Sequence, residues 1–264
     1  MKTRNRILIF ALPALLVFFG WLVLRPREPR FEGKPLSVWL EGYNLPKAQN
    51  EESWRQADEA VRQTGTNAIP TLLAMLRLSD SSPLKRRLLD LVARQHFIKV
   101  QHVHAWAQNW RAALAFKALG SDGRNAVPEL MRLYENPSSA PSKRYTAMAL
   151  GNIGPAAQEA VPLLLRALDS SSEMEVRESA VGALGQIRAN PGLVVPTLIK
   201  CLNNDSTVVE SEAAIVLGTF GADAKPAIPA LVEMLAPPRA DLRVCATNAL
   251  KQIDAGAAAK ARNN

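Results

Sequence analysis

Between Pro141 and Asp254 apolar and polar positions follow one repeating order. After Pro162, Leu163, Leu164, Leu165 and Leu168 fall at helical spacing, and the polar run Asp169-Ser170-Ser171-Ser172 breaks it. A second helical run then carries Val176, Ala180, Ala183, Leu184 and Ile187. Spacing of three and four residues places each set on one helix face, so the unit is a pair of helices. The unit recurs. Met148-Ala149-Leu150-Gly151-Asn152-Ile153-Gly154 aligns with Gly182-Ala183-Leu184-Gly185-Gln186-Ile187 and with Ile215-Val216-Leu217-Gly218-Thr219-Phe220-Gly221. Twelve residues after each Leu stands a proline, Pro162, Pro196 or Pro229, and the leucines step by 34 and 33 residues, with Leu250 33 further on. A fixed period of this size marks a solenoid, because one helix pair cannot bury its apolar face without a neighbour. Asp169, Asp205 and the adjoining serines suit turns and helix N-caps, and Gly154 and Gly221 suit left-handed helix ends.

Val176-Arg177-Glu178-Ser179-Ala180-Val181-Gly182-Ala183-Leu184-Gly185 resembles the second-helix signature of HEAT repeats, most closely the HEAT-like class of the phycobilisome-lyase type. The resemblance covers residues 124 to 254. It implies an all-α fold, a right-handed α-solenoid of tandem two-helix repeats. For function it is weak, since such repeats serve scaffolds, adaptors, transport factors and a few enzymes. The stretch Gly33-Lys34-Pro35-Leu36-Ser37-Val38-Trp39-Leu40-Glu41-Gly42-Tyr43 resembles the leader ahead of HEAT repeats in exported proteins.

The ends of the chain change the picture. A basic head, residues 1–6, precedes an uncharged apolar run over residues 7–24. At about 1.5 Å per residue such a run just spans a bilayer core of about 30 Å. It reads as a transmembrane signal-anchor, because no small-x-small pair offers a cleavage site. The short head favours an inside amino terminus and a repeat domain on the exported, periplasmic side. Residues 25–35 read as a charged tether and 36–50 as an N-terminal cap covering the open face of the array. The repeats are expected over 51–254, with a flexible tail over 255–264.

The proline boxes at Pro70 and Pro128 stand 58 residues apart, so 24 residues exceed one period of 34. The irregular insertion is placed over residues 84–117. It carries Lys85, Arg86, Arg87, Arg94, Lys99, Arg111 and Lys117 against Asp90, a balance of +6. Residues 1–35 carry +5, so the rest of the chain sums to −3 within a formal net charge of +8. A nucleic-acid-binding solenoid would spread its basic side chains along many repeats, and this one does not. The expected partner is therefore a protein, with an acidic surface if it meets the insertion. The candidate contacts are Arg86, Arg87, Arg94, Lys99, Trp106 and Arg111. A second set, Lys143, Arg177 and Arg243, occupies equivalent places in the second helices. There Glu210 reverses the sign, and the row serves as a charge ladder between repeats or as a partner-facing line.

Catalytic and metal motifs are missing: the chain has no Cys-x-x-Cys, no Gly-x-x-x-x-Gly-Lys loop and no His-Glu-x-x-His. His96, His102 and His104 lack a completing carboxylate or thiolate at ligand spacing, and no cofactor is expected. Cys201 falls in a core slot shared with Ala167 and Met234, and Cys245 lies in a different repeat, too far for a bridge. Trp106 and Trp110 share a helix face, with core packing favoured over a ligand platform. The expected function is a membrane-anchored, non-enzymatic scaffold for protein–protein interaction. A tetrapyrrole or phycobilin lyase-like protein is the alternative that the resemblance implies.

Overall fold

A computed structural model describes residues 28–44, 50–80, 103–169, 173–203, 206–236 and 240–262. Two residues of strand, β1 (Arg30–Phe31) and β2 (Lys34–Pro35), pair antiparallel and are the one departure from helix among the described residues. Glu32 and Gly33 both take positive φ, 47° and 77°, as a two-residue hairpin turn requires. The chain continues into α1 (Leu36–Trp39) and a 3₁₀ turn, Leu40–Asn44.

Long and short helices then alternate. The long ones are α2 (Glu51–Thr64), α4 (Ala105–Leu119), α6 (Ala140–Ile153), α8 (Met174–Ile187), α10 (Thr207–Thr219) and α12 (Ala240–Ile253). The short ones are α3 (Ile69–Leu76), α5 (Val127–Glu135), α7 (Val161–Asp169), α9 (Pro191–Cys201) and α11 (Ile228–Glu233). From α4 to α12 each long helix packs on the long helix before and after it, and the short helices form a second layer behind them. With α1 and its 3₁₀ turn pairing with α2, the array is an α-solenoid of six helix pairs among the described residues.

Sequence dictates the joints. Pro70, Pro128, Pro162 and Pro229 sit in the first turn of a short helix, where a missing N–H costs nothing. Gly65, Gly120, Gly154 and Gly221 end long helices at φ between 52° and 76°. The glycines thus supply positive φ, but at Gly120 and Gly154 ψ is near −140°, which is not the left-handed helical basin. The α8–α9 joint has no glycine. Arg188 and Asn190 take the left-handed conformation instead, and α9 starts directly at Pro191, so Pro196 lies inside it. Ser139 and Asn50 cap α6 and α2 by accepting from Ser142 N at 3.2 Å and Ser53 N at 3.3 Å. Residues 170–172 and 204–205, which hold the other expected turn residues, lie outside the described residues.

The core is layered. Pairs of alanines, Ala112/Ala113, Ala180/Ala183, Ala213/Ala214 and Ala246/Ala249, are buried where long helices meet, and leucines such as Leu130, Leu164 and Leu198 fill the space between layers. Leu36 and Leu40 are fully buried and Tyr43 nearly so, making the stretch 36–44 the first half of the first unit as well as its cover. Cys201, Ala167 and Met234 are all buried, as the shared core slot requires, and Cys201 and Cys245 are free thiols.

Two boundaries differ from the sequence expectation. The array resumes at Ala105, not after Lys117, because α4 is an ordinary long helix whose register with α6 is the normal 34 residues from Gly120 to Gly154. The extra residues therefore fall between α3 and α4. Asp80 closes that excursion by accepting from Ala105 N at 2.8 Å, with His104 Nδ1 3.8 Å away. The tail expected over 255–264 is helical as α13 (Ala255–Arg262). Asp254 caps it through Gly256 N at 2.9 Å and Ala257 N at 3.1 Å, and its alanines favour helix. The membrane anchor expected over residues 7–24 lies outside the described residues. Among those described, no helix is long and apolar enough to cross a membrane.

Candidate functional site

Each long helix buries two faces, one against the short helices and one against its long neighbours. A third stripe stays uncovered. The repeat puts Arg144, Glu178, Ser211 and Val244 in one row of this stripe, Tyr145, Ser179, Glu212 and Cys245 in the next, and Met148, Gly182, Ile215 and Asn248 in a third. Side chains three and four apart on one helix stand side by side, so the rows cross the helices like rungs.

The composition of this face changes along the array. On α2 the acids are answered locally: Arg55 pairs with Glu52 at 2.8 Å and Arg62 with Glu59 at 3.3 Å. Between α6 and α8, Arg144 reaches Glu175 at 3.5 Å. Beyond that point cations drop out and apolar side chains appear, with Val208 41%, Ile215 46% and Val244 66% exposed. Glu178 and Glu212 face each other across the α8–α10 seam. Gly182 leaves the room, for a Cβ there would lie 3.3 Å from Glu212 Oε1. Partial burial raises the Glu212 carboxyl above the ordinary carboxylate range, and the neighbouring Glu178 charge adds to the rise.

The sequence candidates scatter. Arg86, Arg87, Arg94 and Lys99 lie outside the described residues, as do His96 and His102. Trp106 is 51% exposed at the start of α4, so it is not a core residue, whereas Trp110 packs edge-on against Tyr145 at 5.9 Å. Their four-residue spacing sets them side by side, but the helix start lifts Trp106 clear of the next unit. Arg111 is no partner contact. It is 6% exposed and donates from Nε to Asn44 Oδ1 at 2.6 Å, tying the first unit to the second. Burial pushes its pKa down.

In the second row of candidates, Lys143 lies over the Tyr134 ring at 5.1 Å. Arg177 is half-buried and Glu210 buried, and neither is an unpartnered charge. Arg243 is exposed. These four do not form one solvent-facing line, because the position turns toward the neighbouring unit. The contact between adjacent long helices falls one residue further on, at Arg144. Sequence reasoning overlooked Glu178 and Glu212. Their signal was legible: both sit near the middle of the second-helix motif, flanking the small residue Gly182.

Among the described residues no group of histidine, cysteine and carboxylate side chains could hold a metal ion. A cleft of about 290 Å³ opens between α2 and α4, lined by Tyr43, Trp54, Asp58, Arg62, Leu114 and Lys117. Its polar groups are largely spent on each other: Tyr43 donates to Asp58 at 2.6 Å, and Arg62 lies 3.6 Å from the same carboxylate.

The family model for HEAT repeats matches residues 104–185 and 174–251. Among solved structures, a designed armadillo repeat protein in complex with the peptide (KR)4 is 19% identical. It covers 84% of this chain and 100% of its own, at a TM-score of 0.52. An engineered protein is 20% identical over 84% of this chain and 97% of its own, at a TM-score of 0.48. No curated protein matches the chain.

Proposed function

The chain belongs to the HEAT-repeat family, and we propose that it is a non-enzymatic scaffold that binds a protein partner along the uncovered face of α6 to α12. The carrying observation is the exposed set Val208, Ile215 and Val244 on that one face. A soluble array gains nothing from branched apolar side chains in water on the stripe that no neighbouring unit can cover, whereas an interface does. The designed armadillo repeat protein of similar fold was solved with a peptide bound, which supports protein binding as the use of such a layer.

The scaffold is read as held at a membrane by residues 7–24, with the repeats on the exported side. A contact to an acidic surface is assigned to Arg86, Arg87, Arg94 and Lys99, with exposed Trp106 following them in the chain. Arg111 drops out of that set because Asn44 occupies it. The lyase-like alternative would require covalent pigment attachment on co-expression with a phycobiliprotein, and nothing in the geometry favours it.

The test is site-specific photocross-linking in intact cells. A photoreactive residue at Ile215 should give a discrete adduct, and one at exposed Pro162 on the opposite layer should not. Equal yields at both positions, or none at either, would remove this reading. Carbonate-resistant sedimentation of the full chain, lost when residues 7–24 are deleted, tests the anchor. Protease accessibility of the repeats from the exported side tests the orientation.

A further inference from the structure

The second-helix face leaves one electrostatic demand unmet. Glu178 and Glu212 converge over Gly182, and neither carboxylate has a hydrogen bond or ion pair among the described residues. Elsewhere on this face Glu52, Glu59 and Glu175 each have an arginine partner. At the rungs beside Glu178 and Glu212 the repeat supplies Ser179, Ser211, Val244 and Cys245, none of them a cation. Like charges held together in a half-buried seam disfavour the free state, and a cation entering between them relieves both.

The surroundings say what kind of cation fits. Two carboxylates are too few to strip the water from a divalent ion, and no third ligand stands with them among the described residues. The exposed apolar residues Val208 and Ile215 flank Glu212 along α10, one turn to either side, and Val244 stands on the next helix. Val208 and Ile215 are therefore about 10 Å apart along the axis at 1.5 Å per residue. An extended chain rises about 6.6 to 6.8 Å per two residues, so apolar residues two places before and after a central cation bracket it at similar spacing. A guanidinium also suits two carboxylates geometrically, since its planar fork donates in two directions.

We propose that the α8–α12 face docks a basic segment of a partner protein, an arginine or lysine entering between Glu178 and Glu212 while flanking apolar side chains cover Val208, Ile215 and Val244. This rests on the reading of the second-helix layer as the interaction surface and adds the chemistry of what it takes. It also sets the face apart from the basic insertion, whose complement would be acidic.

The probe is a fluorescein-labelled peptide of repeated Val-Ser-Arg-Ser units ending in Val, with a counterpart carrying Glu for Arg. Both are titrated against the full chain in detergent micelles by fluorescence anisotropy. The basic peptide should bind saturably, weaken as salt rises and exceed its acidic counterpart by at least tenfold. The double variant E178Q/E212Q, nearly isosteric, should lose about tenfold in affinity, and I215S severalfold, while E173Q at an exposed position off the seam keeps wild-type affinity. Equal binding by wild type and E178Q/E212Q, or no saturable binding by wild type, overturns the proposal. The cross-linking experiment separates the two levels. An Ile215 adduct that survives both E178Q/E212Q and excess basic peptide rejects the basic-segment chemistry but keeps the face. Absence of any Ile215 adduct rejects the face itself.

Discussion

Replacing Gly151 by alanine tests the closest approach in the array. Gly151 lies in α6 against α8, and a Cβ there would fall 2.8 Å from the Ala183 Cα and 3.1 Å from both the Ala183 Cβ and Gln186 Oε1. Carbon atoms rest about 3.5 to 4.0 Å apart, so the two helices would have to separate by somewhat under about 1 Å. Gln186 can swing away, but the Ala183 backbone cannot. Inserting a methyl group into a well-packed interface typically costs about 1 to 3 kcal/mol. Alanine in a helix interior gains back about 1 kcal/mol over glycine. Because the obstacle is backbone, the cost should stay toward the upper end, leaving a net loss of about 1 to 2 kcal/mol. For an array of this size that lowers Tm by roughly 3 to 6 °C, at about 2 to 4 °C per kcal/mol. The control is Gly192→Ala in α9, where a Cβ meets nothing within 4 Å. It should hold or raise Tm, since only the propensity gain applies. Far-UV circular dichroism melts of the two variants beside the wild type decide the matter. A Gly151→Ala protein melting at or above wild type would refute the close helix approach and the role of the repeated Leu-Gly pair.

Asn109 donates from Nδ2 to the carbonyls of Met75 at 2.7 Å and Leu76 at 3.2 Å, closing the C-terminus of α3 from the next long helix. Asn109→Ala leaves those carbonyls short of donors and should cost about 1 to 3 kcal/mol in urea unfolding. Tyr43→Phe removes the bond to Asp58 and should cost about 1 to 2 kcal/mol, with the edge-on Trp54 contact kept and Trp54 fluorescence little changed. Glu212→Gln tests the seam through pH. A carboxyl raised in the folded state opposes folding while ionised, so the variant should melt above wild type at neutral pH. The gap should close as pH falls through the raised value toward the ordinary carboxylate range, and a gap independent of pH would contradict this.

The sequence by itself determined the unit and its count. Helix-spaced leucines, a proline opening each short helix and a glycine closing most long ones are local signals. Each acts within a turn or two of its own position, so each can be read without knowing what lies opposite. The period then follows, because identical units stack only in one register. What tertiary structure decided is which charges remain available. Arg111 and Trp106 sit in one basic, aromatic segment of sequence. Packing buries the first against Asn44 and leaves the second in water. Glu178 and Glu212 are 34 residues apart and unremarkable as letters, yet stacking brings them together over Gly182. The extent of the insertion was settled in the same way: Ala105–Lys117 looks foreign by composition but packs on α6 as an ordinary long helix. The reason is one of range. Helix signals are local, whereas the exposure and pairing of a charge depend on side chains a full repeat away, which composition does not record.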